Sequence, residues 1–240
     1  MNTSTTPRRN VPLRDIASMA LSCSTAVAAL LAVASTVQAQ TDNFDSGSDA
    51  AWQRSTTAAY PSTFSFVPDA SGGKAYRLEA GVPPNYATAG GVNMARAVAV
   101  RTDQTYSTTF YVSADLVDWD HRVYDRTNDA AIGIIARASN VTAPDQLQGV
   151  MLLTHWNQYD NGRRGTAQIY GIVQGGAFLI PAAQGDFTIQ RGHAYRMVFA
   201  GTNNILQGSF YDLEDLTHPL LTFGCDDSYA AGYFPSSGYS

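Results

Sequence analysis

Cysteine is nearly absent from this 240-residue chain, which has only Cys23 and Cys225. Cys23 falls in a leader that the chain is expected to lose, so no intrachain disulfide can support the core. Cys225 stands beside Asp226, whose carboxylate raises a thiol's pKa, and it reads as structural rather than nucleophilic. Lysine is rarer still. Lys74 stands alone, which disfavours Schiff-base chemistry, and no glycine-rich phosphate loop with a lysine is present. The two glutamates, Glu79 and Glu214, are far apart, whereas glycoside hydrolysis needs two carboxyl groups flanking one bond. His121, His155, His193 and His218 are dispersed, with no His-x-x-x-His spacing to hold a metal, and no Gly-x-Ser-x-Gly elbow occurs. Heptads, fixed-period repeats and long low-complexity linkers are absent as well.

The first 39 residues read as a secretory signal peptide. Arg8, Arg9 and Arg14 charge its start, and Ile16 to Val37 is uncharged and rich in Ala, Leu, Val and Met. Val37-Gln38-Ala39 then offers the small side chains that a signal peptidase accommodates. A retained anchor is the rival, because the apolar run approaches spanning length, but its Ser and Thr content and small-residue exit favour cleavage. A lipidated Cys23 is a weaker rival, since Leu21 occupies a position where a small residue is usual. Cleavage after Ala39 leaves one domain, residues 40–240, large enough to bury a core. It removes three arginines and Asp15, taking the net charge from −5 to −7. That balance argues against nucleic acid and anionic membrane surfaces as partners, and the expected location is periplasmic or extracellular.

After Ala39 no segment keeps a helical period, and short alternating or apolar runs recur between Gly, Pro, Asn and Asp clusters. About eleven strands are expected: 62–67, 75–79, 94–100, 105–116, 131–138, 149–156, 166–173, 178–180, 195–201, 206–212 and 220–223. In 105–116, Phe110, Val112 and Ala114 share one face while Tyr111, Ser113 and Asp115 share the other, the alternation of a half-buried antiparallel strand. Asp160-Asn161-Gly162, Gln174-Gly175-Gly176 and Thr202-Asn203-Asn204 supply turn residues, predicting a meander of hairpins from Gly149 to Phe223. The expected fold is all-β, a two-sheet antiparallel β-sandwich or jelly roll.

Several segments carry a family resemblance. Asp42-Asn43-Phe44-Asp45-Ser46-Gly47, with Ala51-Trp52, resembles the opening strand of concanavalin A-like lectin/glucanase (LamG-like) jelly rolls of exported bacterial proteins. Residues 112–120 are similar to a long central strand of such domains, 133–138 to the strand that follows, and 226–233 to the turn before the penultimate strands. The pieces are patterns of fold and packing, so they imply the jelly roll more than any activity. Such domains close with a further strand beside the first, and the chain reaches Ser240 soon after the penultimate signal. An unpaired edge on the opening strand would follow from a missing partner. Enzymes of this fold carry Glu-x-Asp-x-x-Glu or a similar pattern on one strand, which this chain lacks.

The residues left as candidates are acidic and aromatic. Asp118 and Asp120 can share a face where a strand gives way to a loop, and they read as solvated strand-end carboxylates, a cation or hydroxyl site, or a catalytic pair. Sugars stack on aromatic rings while Asp, Asn and Gln bind their hydroxyls. Trp119 with Asp118, Asp120 and Tyr124 is one such constellation, and Trp156, Asn157 and Tyr159 form another. Trp52 is expected in the sandwich core. A structural calcium is an open expectation, with Asp42 and Asp45 as ligands and Asp226 or Asp227 from the far end, against the plainer reading that these residues cap turns. The function that follows is a secreted, non-catalytic module that binds a glycan or extracellular polymer. The alternatives are a glycan hydrolase built on Asp118 and Asp120, or a purely structural extracellular domain.

Overall fold

A computed structural model describes residues 41–57, 60–81, 96–103, 105, 108–120, 131–143, 146–157, 164–173 and 176–226. The leader lies outside them, as do the turns at 160–162 and 174–175 and the segment after Asp226. The described residues contain twelve strands and no helix. The strands are β1 (Trp52–Thr56), β2 (Thr63–Pro68), β3 (Lys74–Glu79), β4 (Ala97–Arg101), β5 (Thr109–Leu116), β6 (Ala131–Ser139), β7 (Gln148–Asn157), β8 (Arg164–Val173), β9 (Gly176–Asp186), β10 (Tyr195–Thr202), β11 (Ile205–Asp212) and β12 (Leu221–Asp226). They form four antiparallel sheets. Two have four strands, in the orders β12-β11-β10-β5 and β6-β7-β8-β9, and two are pairs, β1-β4 and β2-β3.

The alternation in β10 shows why the two large sheets pack together. Tyr195, Met197, Phe199 and Gly201 are buried, and the residues between them are half-exposed. Met197 and Phe199 of that set, with Phe110, Leu206 and Phe210, meet Ala136, Val150, Leu152, Ala167, Ile169 and Ala183 from the β7 sheet in one apolar core, while Tyr195 packs with Ile189. This is the sandwich-like arrangement that period-two patterning anticipates. Gly208 is part of the fit, since a Cβ there would lie 2.4 Å from Leu152 Cδ1. Arg137, buried at a bulge of β6 with φ of 52°, ties the sheets together at one end. Its Nη2 donates to the Thr108 carbonyl at 3.0 Å and to the Asn203 carbonyl, with the guanidinium over the Phe110 ring.

The other face of the β7 sheet is not bare. Val98 and Val100 of β4 pack there with Ile135, Met151 and Ile172.

Several sequence expectations change. The meander from Gly149 to Phe223 is really two, β7-β8-β9 and β10-β11-β12, and the chain changes sheets between Asp186 and Tyr195. The run expected as a central strand is β5, which pairs only with β10 among the described residues and so lies at a sheet edge. The strand expected at 178–180 extends from Gly176 to Asp186, and the opening strand that the resemblance implies at 42–52 begins only at Trp52, as β1, after a turn at Asp45–Ser46. The Asn203-Asn204 hairpin forms where expected, with Thr202 paired to Ile205 and Asn203 at φ of 52°.

Trp52 does not enter the sandwich core. It is half-exposed on β1, its ring 5.4 Å from Phe44, and its Nε1 donates to Asp42 at 2.8 Å. Its indole N–H is satisfied by a nearby carboxylate, which an aliphatic core would not provide. Cys225 is half-buried against the core, with the inward residues of β12.

Candidate ligand-binding face

The predicted site residues are scattered over the fold. Asp118, Trp119 and Asp120 follow the end of β5. Both aspartates are exposed, and Asp118 Oδ1 accepts from the Trp119 backbone N–H at 2.9 Å. The Trp119 indole is half-buried, its ring 6.0 Å from Tyr195, in a small cluster with Leu116, Ile132, Phe187 and Ile189. One side of that ring is therefore given to packing. Trp156 and Asn157 close β7 opposite Gly165 and Arg164. Tyr124, Tyr159 and Asp227 lie outside the described residues.

The aspartates weighed for calcium are turn-builders. Asp42 accepts from the Phe44 N–H through Oδ1 and from Trp52 Nε1 through Oδ2. Asp45 accepts from Asn43 Nδ2 and from the Lys74 N–H. Asp226 ends β12 opposite Ile205. Among the described residues no three His, Cys, Asp or Glu side chains converge as a metal site, and each carboxylate oxygen of Asp42 accepts from an N–H donor.

The three described histidines serve hydrogen bonds within sheets and turns, and His121 lies outside the described residues. His155 Nε2 shares one at 2.5 Å with Gln168, which in turn donates to Gln184 across β8 and β9. His193 Nδ1 meets Asp212 at 2.9 Å, and His218 meets Asp215 at 3.0 Å. Asp212 is held below the usual carboxylate range, chiefly by the Glu214 backbone N–H and then by His193.

The most coherent surface is the face of the β5 sheet turned away from the core. Registers place its outward side chains in rows across the strands. Ser113, Val198, Ser209 and Thr222 form one row. Tyr111, Ala200, Gln207 and Gly224 lie on one side of it, and Asp115, Arg196 and Tyr211 on the other. All four residues of the middle row are short, so it forms the floor of a shallow trough flanked by Asp115, Arg196 and Tyr211 on one side and by Tyr111 and Gln207 on the other, where Ala200 and Gly224 leave the wall low. Ser209 is 5% exposed there, and its Oγ shares a hydrogen bond with Thr222 Oγ1 at 3.0 Å. At the flank, Tyr111 is 49% exposed.

The Arg196–Asp115 pair is fixed by register, because the two residues face each other directly on β10 and β5. Arg196 Nε and Nη2 donate to the two carboxylate oxygens at 2.7 and 2.8 Å. This bidentate bond raises the guanidinium pKa further above its ordinary value. Burial against the sheet pushes the Tyr111 phenol up. Tyr211 adds to that shift and Arg196 opposes it, so the three groups share one electrostatic neighbourhood. Near neutral pH the flanks present ring surface, a neutral phenol and a self-neutralised ion pair. The arrangement suits stacking and hydrogen bonding to a polar ligand.

Sequence reasoning separated Tyr111, Ser113 and Asp115 from the core-facing set but did not single them out. Their partners come from β10, β11 and β12, some 80 or more residues away along the chain. The available signal was the same alternation repeated in 195–202 and 205–212.

Comparison with protein-family models, curated proteins and solved structures finds no match.

Proposed function

We propose that this chain is an exported, non-catalytic carbohydrate-binding or surface/matrix module of the concanavalin A-like jelly-roll type. The observation that carries this reading is the trough on the β5 sheet, where a half-exposed tyrosine and a bidentate Arg–Asp pair flank a floor of short, largely hydroxylated residues. Tyrosine rings offer the flat apolar surface that sugar C–H faces prefer, and hydroxyl, guanidinium and carboxylate groups offer both halves of hydrogen bonds to sugar hydroxyls. The antiparallel architecture and the arginine-led, apolar first 39 residues agree with an extracellular module. The sequence resemblance at 42–52, 112–120 and 133–138 supports the jelly-roll assignment.

The test is a glycan array with the purified protein, followed by a reducing-end assay on each glycan bound. Binding without release of new reducing ends is expected. Release that disappears in Asp118→Asn would replace this reading with a hydrolase, and no binding to any glycan would leave a structural domain.

A further inference from the structure

We propose that an open cavity at the turn between β2 and β3 binds a short zwitterionic peptide by its two charged ends, through Lys74 and Asp45. This site is separate from the trough on the β5 sheet and does not depend on the carbohydrate-binding reading.

The cavity has a volume of about 590 Å³ and is lined by Asp45, Phe66, Val67, Pro68, Lys74 and the turn residues 71–73. That size is ordinary for a small-ligand site. Lys74 is the chain's only lysine, and the local backbone is built around it. Its backbone N–H donates to Asp45 Oδ1 at 3.0 Å. Its side chain lies over Gly47, whose φ of 66° suits glycine and where a Cβ would stand 2.7 Å from Nζ. Gly73 makes the same allowance for Asp45, since a Cβ there would collide with Oδ1. Two glycines therefore make room for one cationic and one anionic group side by side.

Both groups keep capacity for a ligand. Arg54, Arg101 and Arg196 are each tied to an aspartate at 2.7 to 2.8 Å. Lys74 Nζ, by contrast, has no ion-pair or hydrogen-bond partner among the described residues. Its three N–H donors are open to a carboxylate. Asp45 accepts one N–H at each oxygen, from Lys74 and from Asn43 Nδ2, and each oxygen has a second lone pair.

A ligand that carries both charges satisfies both groups. The terminal carboxylate of a peptide accepts from Lys74 Nζ, its terminal ammonium donates to Asp45, and its apolar side chains meet Phe66, Val67 and Pro68. A simple anion would be held by Lys74 but would meet Asp45 and a chain of net charge −5. A simple cation would meet Lys74. A zwitterion is neutral overall and avoids both repulsions, whereas an uncharged sugar would leave the ammonium without a counter-charge.

The experiment exploits the single lysine. In the full chain carrying ¹³C-labelled lysine, NMR reads Lys74 alone while the dipeptide leucylphenylalanine is added free, N-acetylated, C-amidated or blocked at both ends. Calorimetry measures the same peptides on Lys74→Met and Asp45→Asn, with thermal melts to show that each variant is folded. The free dipeptide should move the lysine signal and bind about tenfold more tightly than either singly blocked form. Lys74→Met should weaken the free and N-acetylated peptides about tenfold and leave the amidated one unchanged. Asp45→Asn should weaken the free and amidated peptides and spare the acetylated one. Should either variant fail to fold, the blocked peptides on wild type decide. An N-acetylated peptide that binds as tightly as the free one would overturn the zwitterion. A lysine signal that no peptide moves at millimolar concentration, or binding that Lys74→Met leaves intact, would overturn the site. Neither result bears on glycan binding at the trough.

Discussion

The N-terminal part of the described chain and the two large sheets hold together by different means. In the sandwich-like part, aliphatic and aromatic side chains from both sheets interdigitate, and Phe199, Leu152, Ile169, Leu206 and Phe210 are fully buried. Between Asp42 and Glu79 the packing is instead aromatic and half-exposed. Phe44 lies 4.9 to 6.2 Å from the rings of Trp52, Phe66 and Tyr76. Carboxylates direct those rings: Asp42 holds Trp52 and the Phe44 N–H, and Asp49 accepts from both Arg54 and the Tyr76 hydroxyl. Phe44 sits at φ of 58°, a conformation that side chains rarely adopt, and this turn and its ring contacts keep it there. One region therefore depends on the area it removes from water, while the other depends on charged and polar groups reachable by solvent.

The largest predicted effect breaks the first region. Leu152→Ala should cost about 3–4 kcal/mol in urea unfolding, because it empties a fully buried site and the space over Gly208. Phe44→Ala, at a half-exposed ring, should cost about half as much or less. Equal losses would erase the distinction. Arg137→Leu should cost about 2–3 kcal/mol, since it removes donors from two backbone carbonyls at the junction of the sheets. Gly208→Ala should cost about 1–2 kcal/mol through the clash with Leu152, measured by the same unfolding assay.

The smallest effect concerns pH, and its alkaline limb should fall first on the aromatic region. Tyr76 is pushed up to about 12, first by burial and then by its hydrogen bond to Asp49. A phenol whose folded pKa is raised above 10.0 stabilises the fold fully below pH 10.0, and that contribution fades as pH rises towards 12. Asp49 is shifted the other way by its bonds to Arg54 and Tyr76, so its contribution is present above 3.8 and fades as pH falls through the lowered value. Hydrogen exchange should show β2 and β3 loosening at alkaline pH before β10 and β11 do. Tyr76→Phe should remove the alkaline limb and Asp49→Asn the acid limb. Simultaneous loosening of all four strands would contradict a separate polar mode of holding.

Alternation made much of this fold legible. The faces of 109–116 and the strands at 195–202 and 205–212 follow from period-two patterning, and Asn203-Asn204 marked its own hairpin. Sheet membership was not legible, because strand length and pattern do not say which sheet the chain joins after Asp186. That is why β5, expected at the centre, lies at an edge among the described strands. Trp52 misled because its hydrophobicity is visible in sequence, while its N–H partner, Asp42, becomes a neighbour only in the folded turn. The trough was hidden for the same reason as sheet membership: its rows are cross-strand relations among residues that are ordinary one by one. Trp119 drew attention as a conspicuous residue, yet part of its ring covers Tyr195.

The central claim is that ligand binding resides on the outer face of the β5 sheet. Its most direct test is a backbone and side-chain NMR titration of the protein with an oligosaccharide that the glycan array identifies. The predicted result is a set of shifts confined to Tyr111, Ser113, Arg196, Val198, Ser209 and Thr222, and smaller in Tyr111→Ala at the same ligand concentration. Shifts centred on Asp118, Trp119 and Asp120, or on the aromatic cluster around Phe44, with the trough unmoved, would contradict it.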